Sequence, residues 1–258
     1  MLLAIDVGNT NMVFGVYQDK TLIGTFRLKT DTNRTSDEIG LMAYDYFRRF
    51  HLDPGDVEAV MVASVVPTVM YSLSSALIKY FGKAPLVVDD GVDPGLALGV
   101  ESNERLGPDR SVACVGALEK YGAPLIVLDF GTATTLDALN DQGAYMGGCI
   151  SAGLRITSEA LYKHASMLPR VELSAPDRVL NSTAVGHIQA GIVLGYIGSV
   201  EYLIRQAKQE LDCGDKVTVV ATGGLARLVA DHTKLIDTVD DRLILDGLYR
   251  IYQKLKKQ

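Results

Sequence analysis

A short pattern that occurs twice constrains this chain more than any other feature. It reads Leu2-Leu3-Ala4-Ile5-Asp6-Val7-Gly8-Asn9-Thr10 near the start and returns as Leu125-Ile126-Val127-Leu128-Asp129-Phe130-Gly131-Thr132-Ala133-Thr134. Each copy is an apolar run that stops at an acid, followed by a glycine set among hydroxyl or amide side chains. A buried strand thus delivers a carboxylate and a phosphate-sized turn to the same kind of place in each half. Such a pair predicts nucleotide chemistry in a cleft between two related lobes. Aligning Asp6 with Asp129 also sets Gly8 on Gly131 and Gly24 on Gly147. It brings the turns Gln18-Asp19-Lys20 and Asp141-Gln142-Gly143 into register without a gap.

The remaining elements alternate strands and helices. Residues 2–7, 11–18 and 21–29 read as an antiparallel meander. Thr35 with Glu38 forms a capping box that opens a helix with Ile39, Leu41, Met42, Tyr46 and Phe47 on its apolar face. A strand at 57–64, a helix at 68–80 and a strand at 85–88 follow. Residues 89–106 are rich in Gly and Asp and read as a functional loop between lobes. A helix from Pro108 to about Lys120 has Pro at its first position and Gly122 past its end. The second lobe repeats the meander at 125–130, 133–139 and 143–151. Helices are expected over 154–163, 185–211 and 241–256, with a strand at 216–221. In the long helix, Gly191, Gly195 and Ser199 line a flank suited to close approach by another backbone, either its own sheet or a partner subunit. The reading is therefore an α/β chain in two lobes, residues 1–106 and 107–258.

Bulk properties exclude several classes. A net charge of −6 argues against nucleic acid and anionic membrane as partners. The first apolar run is interrupted at Asp6, far short of a membrane span. Cys114, Cys149 and Cys213 show no metal-ligand spacing and read as reduced thiols in the cytoplasm. The histidines His51, His164, His187 and His232 form no triad or metal pair.

The chemistry-bearing candidates are five short segments. In the first loop, Gly8 admits a phosphate to backbone N–H groups, and Asn9, Thr10 and Asn11 add side-chain donors. Asp6 is placed to hold a hydrated Mg²⁺ against those phosphates, although Asp and Asn also serve plain hairpin turns. The second loop offers Thr132 toward a β- or γ-phosphate and Asp129 for a second cation. Thr222-Gly223-Gly224 ends a strand and opens a helix, a turn that lets an adenosine or phosphate pass close to backbone. Gly107-Pro108-Asp109-Arg110 supplies the acid and cation that a kinase needs to orient a hydroxyl and spread charge. Asp109 also fits a plain complement to the helix dipole. The glycines of Gly147-Gly148-Cys149-Ile150-Ser151-Ala152-Gly153-Leu154 serve either tight packing or room for substrate beside Thr132.

Taken together and in this order, DVGNT at 6–10, RTSDE at 34–38, GPDR at 107–110, DFGTATT at 129–135, GGCISAGL at 147–154 and TGG at 222–224 resemble the type III pantothenate kinase family. The two phosphate loops alone indicate only the wider actin/hexokinase/Hsp70-like ATPase superfamily. The resemblance implies two ribonuclease-H-like lobes with mixed five-stranded sheets flanked by helices. It implies ATP-dependent phosphorylation of pantothenate to 4′-phosphopantothenate, the first step toward coenzyme A, by a homodimer. On it, Asp109 is the base, Asp129 binds a monovalent cation (K⁺ or NH₄⁺), Thr132 contacts ATP with its Mg²⁺, and Gly107, Pro108 and Arg110 bind pantothenate. A substrate-facing Thr falls at Thr183, or on Ala184 if one gap is moved. Two further positions depart from the family pattern: Val100 stands where Tyr is common, and Ala152 where Pro is usual. The alternatives are a kinase of another small hydroxylated substrate on the same fold, and a non-catalytic regulator of the Bvg accessory factor type.

Overall fold

The computed structural model of the chain describes residues 1–100 and 106–257; residues 101–105 of the expected inter-lobe loop lie outside them. In chain order the strands are β1 (Leu2–Val7), β2 (Asn11–Gln18), β3 (Thr21–Lys29), β4 (Ala59–Ser64), β5 (Leu86–Val88), β6 (Gly91–Val92), β7 (Leu125–Phe130), β8 (Ala133–Leu139), β9 (Tyr145–Ala152), β10 (Thr218–Thr222) and β11 (Thr238–Val239). The helices are α1 (Ser36–Arg49), α2 (Pro67–Phe81), α3 (Pro108–Tyr121), α4 (Leu154–His164), α5 (Ala184–Gln189), α6 (Gly195–Leu211), α7 (Ala226–Ala230) and α8 (Leu243–Leu255).

Contacts divide these residues into two compact units. The first takes residues 1–96, the described part of 103–119 and the described part of 243–258; the second takes the described part of 97–102 and residues 120–242. The expected boundary between residues 106 and 107 sets the helix beginning at Pro108 and the C-terminal helix in the second lobe. The contacts place nearly all of α3, and α8, with the first unit.

The first unit is built on a sheet of order β3-β2-β1-β4-β5-β6, with β1, β2 and β3 antiparallel and the others parallel. This is one strand more than expected. The extra one, Gly91–Val92, is too short to show a period in the sequence. β1 is buried on both faces, which is why it reads as an unbroken apolar run. Leu3, Ile5 and Val7 join Phe14, Phe47 and Leu73 in the core beneath α1 and α2. Leu2 and Ala4 point the other way, toward Val112 and Val115 of α3 and Leu248 and Ile251 of α8. α1 begins with the expected capping box: the Glu38 N–H donates to Thr35 Oγ1, and the Thr35 N–H donates to the Glu38 carboxylate at 2.8 Å. Phe14, Phe26 and Tyr46 stack in series with centroids 4.5 and 4.3 Å apart. On the opposite face, α3 and α8 cross at two glycines. A Cβ at Gly116 would stand 2.2 Å from the Leu243 carbonyl oxygen, and one at Gly247 2.1 Å from that of Val112.

The second unit has a sheet of order β11-β10-β7-β8-β9. Ile126, Leu128 and Phe130 face a core supplied largely by Ile188, Ile192, Ile197, Val200 and Ile204. The long helix expected at 185–211 is present, with α5 passing into α6 through a π-helical turn at Ala190–Leu194. Its apolar stripe packs on its own sheet. The flank with Gly191 and Gly195 is exposed, and, their chain neighbours and the helix's own backbone aside, no described atom stands within 4 Å of a Cβ placed at either.

The two meanders repeat, but not without gaps. Asp6 and Asp129 are 123 positions apart, as are Gly24 and Gly147, while the cross-strand partners of the two acids, Val13 and Thr135, are 122 apart. The turn after β1 has three residues, Gly8 to Thr10; the turn after β7 has two, Gly131 and Thr132. The lost residue returns at the hairpin tip, where four residues separate Tyr17 from its partner Leu22 and five separate Leu139 from Tyr145. Both meanders shift register beside the same position, at Val16/Tyr17 and Ala138/Leu139. Two compensating length changes inside turns cancel in the sequence and appear only in the pairing. Thr10, rather than Asn9, is therefore the counterpart of Thr132.

Candidate functional site

Asp6 lies one residue before the end of β1, half-buried, between Val13 of β2 and Ala63 of β4. By strand alternation it shares the face that α3 and α8 cover. The Gly8 N–H donates to the Asn11 carbonyl at 3.0 Å and closes the turn, leaving Asn9, Thr10 and Asn11 exposed. A Cβ at Gly8 would stand 3.3 Å from that carbonyl oxygen, so the turn is tight at this residue. Thr30, just past β3, grips the turn from outside. Its Oγ1 donates to the Gly8 carbonyl at 2.7 Å, and its N–H donates to the Thr10 carbonyl at 3.0 Å. The sequence reading missed Thr30. Only the threonine's place one residue past a repeated strand could have marked it.

α3 also belongs to this unit and brings Gly107, Pro108, Asp109 and Arg110, all half-buried. Pro108 opens the helix, and the Ser111 N–H donates to the Gly107 carbonyl at 3.0 Å. The Asp109 carboxylate folds back over this start, where its Oδ1 accepts the Arg110 N–H at 2.9 Å. A Cβ at Gly107 would stand 2.9 Å from the same oxygen, so a side chain here would push the carboxylate aside. Burial pushes the Asp109 carboxyl above the ordinary aspartate range, against the opposing pull of the Arg110 N–H and guanidinium. A carboxylate so raised is a stronger base than an exposed one.

In the second unit Asp129 holds the position equivalent to Asp6, between Thr135 of β8 and Thr222 of β10. Gly223 sits against it in a left-handed conformation with φ +94°, and a Cβ there would come within 2.4 Å of Asp129 Oδ1. Gly153 closes on the turn from the other side. Its N–H donates to the Thr132 carbonyl at 3.2 Å, and a Cβ would stand 2.5 Å from the Gly131 carbonyl oxygen. Gly153 therefore serves close packing against the loop. Of the loop's hydroxyls only Thr132 is exposed; Thr134 is buried and bonded to the Tyr196 hydroxyl, and Thr135 is half-buried. Tyr196 also sets its ring edge-on to Phe130.

Thr183 is exposed and caps α5, its Oγ1 accepting the Gly186 N–H at 3.1 Å; Ala184 is the first residue of that helix. Val100 follows a segment laid along β9, where the Gly99 N–H donates to the Tyr145 carbonyl at 2.8 Å. Ala152 is the exposed last residue of β9. Among the described residues no three or more His, Cys, Asp or Glu side chains gather into a metal cluster. Each unit offers a carboxylate near the end of its first strand, Asp6 in one and Asp129 in the other. Such a donor set fits hard cations that complete their shells with water, carbonyls or phosphate oxygens.

Two meanders extended by parallel strands, each with an acid and a glycine turn at the end of its first strand, define an actin/hexokinase-like ATPase fold. Solved structures share it. A protein from Sinorhizobium meliloti assigned as a 2-dehydro-3-deoxygalactonokinase matches with a TM-score of 0.64 at 13% identity, over 99% of this chain and 97% of that one. A Campylobacter jejuni protein assigned to the Baf family of transcriptional activators matches with a TM-score of 0.62 at 19% identity, over 99% of this chain and 100% of the other. The activator of 2-hydroxyisocaproyl-CoA dehydratase from Clostridium difficile, with bound ADPNP, matches with a TM-score of 0.53 at 13% identity, over 100% and 97% of the two chains. At these identities the likeness concerns the fold alone. The family model for type III pantothenate kinase matches residues 2–206, and the chain belongs to that family of phosphotransferases.

Proposed function

We propose that this chain transfers the γ-phosphoryl group of ATP to pantothenate, forming 4′-phosphopantothenate and ADP at the entry to coenzyme A synthesis. The observation that carries the reading is Asp109, a carboxylate held at a helix start by its neighbour's N–H and raised by burial, within the motif that the family match covers. The pantothenate primary hydroxyl forms the new O–P bond, the bond between the γ-phosphorus and the β,γ-bridging oxygen breaks, and the hydroxyl proton passes to Asp109. Gly107, Pro108, Arg110 and Thr183 hold pantothenate. Gly8, Asn9, Thr10 and Asn11 with Thr132 and Gly223 bind ATP, and Asp6 would hold, through water, the Mg²⁺ that accompanies it. When bound, Mg²⁺ and a monovalent cation (K⁺ or NH₄⁺) at Asp129 offset charge on the phosphates. Work as a cytoplasmic homodimer belongs to the same reading.

The test is ADP formation with and without pantothenate, in K⁺ and then in Na⁺, with sedimentation to read the oligomer. Pantothenate-dependent turnover that is larger in K⁺ is expected. No such turnover in either salt would overturn the assignment.

A further inference from the structure

The repeat, in its structural register, points to a residue outside every motif. Thr30 and Gly153 occupy the same place in the two meanders. Each follows the last residue of the third strand, Lys29 in one and Ala152 in the other, and Thr30 lies 123 positions before Gly153, the offset that relates the third strands. Their main-chain bonds correspond as well. The Thr30 N–H donates to Thr10 and the Gly153 N–H to Thr132, and Thr10 and Thr132 are counterparts. One feature differs. Gly153 packs against the Gly131 carbonyl with no room for a side chain, whereas Thr30 sends its hydroxyl to the equivalent Gly8 carbonyl.

This has a consequence for the direction of the loop's donors. In a trans peptide the N–H lies antiparallel to the carbonyl of the same plane. Drawing the Gly8 and Thr10 carbonyls toward Thr30 turns the N–H groups of Asn9 and Asn11 to the opposite side. A carbonyl left loose would swing toward an incoming phosphate and repel it. The shorter second turn needs no hydroxyl, because two residues leave less freedom and Gly153 presses on them directly.

We infer that Thr30 is a positioning residue for nucleotide binding: by holding the Gly8 and Thr10 carbonyls, it presents the first loop's N–H groups to the ATP phosphates. The inference rests on the phosphate-loop assignment made above.

Thr30→Val removes the hydroxyl, keeps the shape and leaves the backbone bond to Thr10. Loss of one such bond corresponds to about 3- to 10-fold weaker binding. ATP–Mg²⁺ affinity measured by calorimetry, without pantothenate, should fall by that factor. KM for ATP should follow while KM for pantothenate stays within about twofold. Thr30→Ser, which restores the donor, should recover most of the affinity. A Thr30→Val protein that binds ATP as tightly as the parent, or one that only melts earlier with KM for ATP unchanged, would overturn the inference. A parent that binds ATP yet shows no pantothenate-dependent turnover would instead remove the substrate assignment and leave the Thr30 comparison intact.

Discussion

Gly223 and Asp129 are in contact in a way that only glycine permits: with φ at +94°, a methyl group on Gly223 would lie 2.4 Å from the Asp129 Oδ1. The same methyl group would lie 2.7 Å from the Phe130 main chain, so Gly223→Ala must shift the end of β10 or of β7 and press on the carboxylate. The cost expected is roughly 1–3 kcal/mol of stability, read by urea unfolding. Displacing a positioned group of this kind lowers turnover on the order of 10²-fold. A Gly223→Ala protein with both parental stability and parental turnover would show that this close contact constrains neither the fold nor the Asp129 carboxylate.

Asp109 separates function from stability. Asp109→Asn should lower turnover by roughly 10²–10⁴-fold, because the base is lost while Asn Oδ1 still accepts the Arg110 N–H. The carboxyl is raised in the folded state, so the native protein binds its proton more tightly than the unfolded chain does. Its favourable contribution is present below the ordinary aspartate pKa and is lost as pH rises through the folded value. At neutral pH the ionised form is thus a burden on the fold, and Asp109→Asn should melt no earlier than the parent. Turnover of the parent should fall on the acid side with a midpoint above the exposed-aspartate range. A markedly lower melting temperature for Asp109→Asn would contradict this account.

The crossing of α3 and α8 has no room for a methyl group. Gly116→Ala or Gly247→Ala drives a Cβ to within about 2 Å of a facing carbonyl. Either change should cost about 1–3 kcal/mol by overpacking. Since α3 carries Asp109 at its start, the same variants should lose turnover more than ATP affinity, measured by kcat alongside calorimetry. Unchanged unfolding curves would mean that the helices separate freely.

Asp240 holds together a polar cluster in the second unit. Burial pushes its carboxyl up, but the Lys120 ammonium at 2.6 Å, the Arg242 N–H at 2.9 Å and the Tyr121 hydroxyl at 2.8 Å together outweigh burial and hold it below the ordinary range. A depressed folded pKa contributes stability above the unfolded value of about 3.9, and that stability is lost as pH falls through the folded value. Asp240→Asn should cost about 1–2 kcal/mol at pH 7, with the gap to the parent closing below about pH 4. A gap that stays constant with pH would assign the loss to packing instead.

Much of this architecture was legible in the residues. The Thr35–Glu38 capping box, Pro108 at a helix start, the apolar stripe of the long helix and the acid ending each buried strand all follow from rules acting over a few neighbouring positions. Where the reading departed from the structure, the cause was length or distance. β6 is too short to have a period. The turn after Asp129 is one residue shorter than its counterpart, and a longer hairpin tip conceals this. Thr134 stands in the same hydroxyl-rich run as Thr132 but is buried against Tyr196, 62 positions away in the chain.

The sequence by itself determined the order of the longer strands and helices, the caps, and the placing of Asp6 and Asp129 near strand ends, because these depend on local backbone preference and side-chain period. Only the tertiary structure decided that Gly223 and Gly153 press on the second loop, that Thr30 grips the first, and that α3 packs with α8 at Gly116 and Gly247. Those relations are set by how closely distant backbones approach, and a glycine or a threonine looks the same in the sequence whether or not another chain segment rests against it.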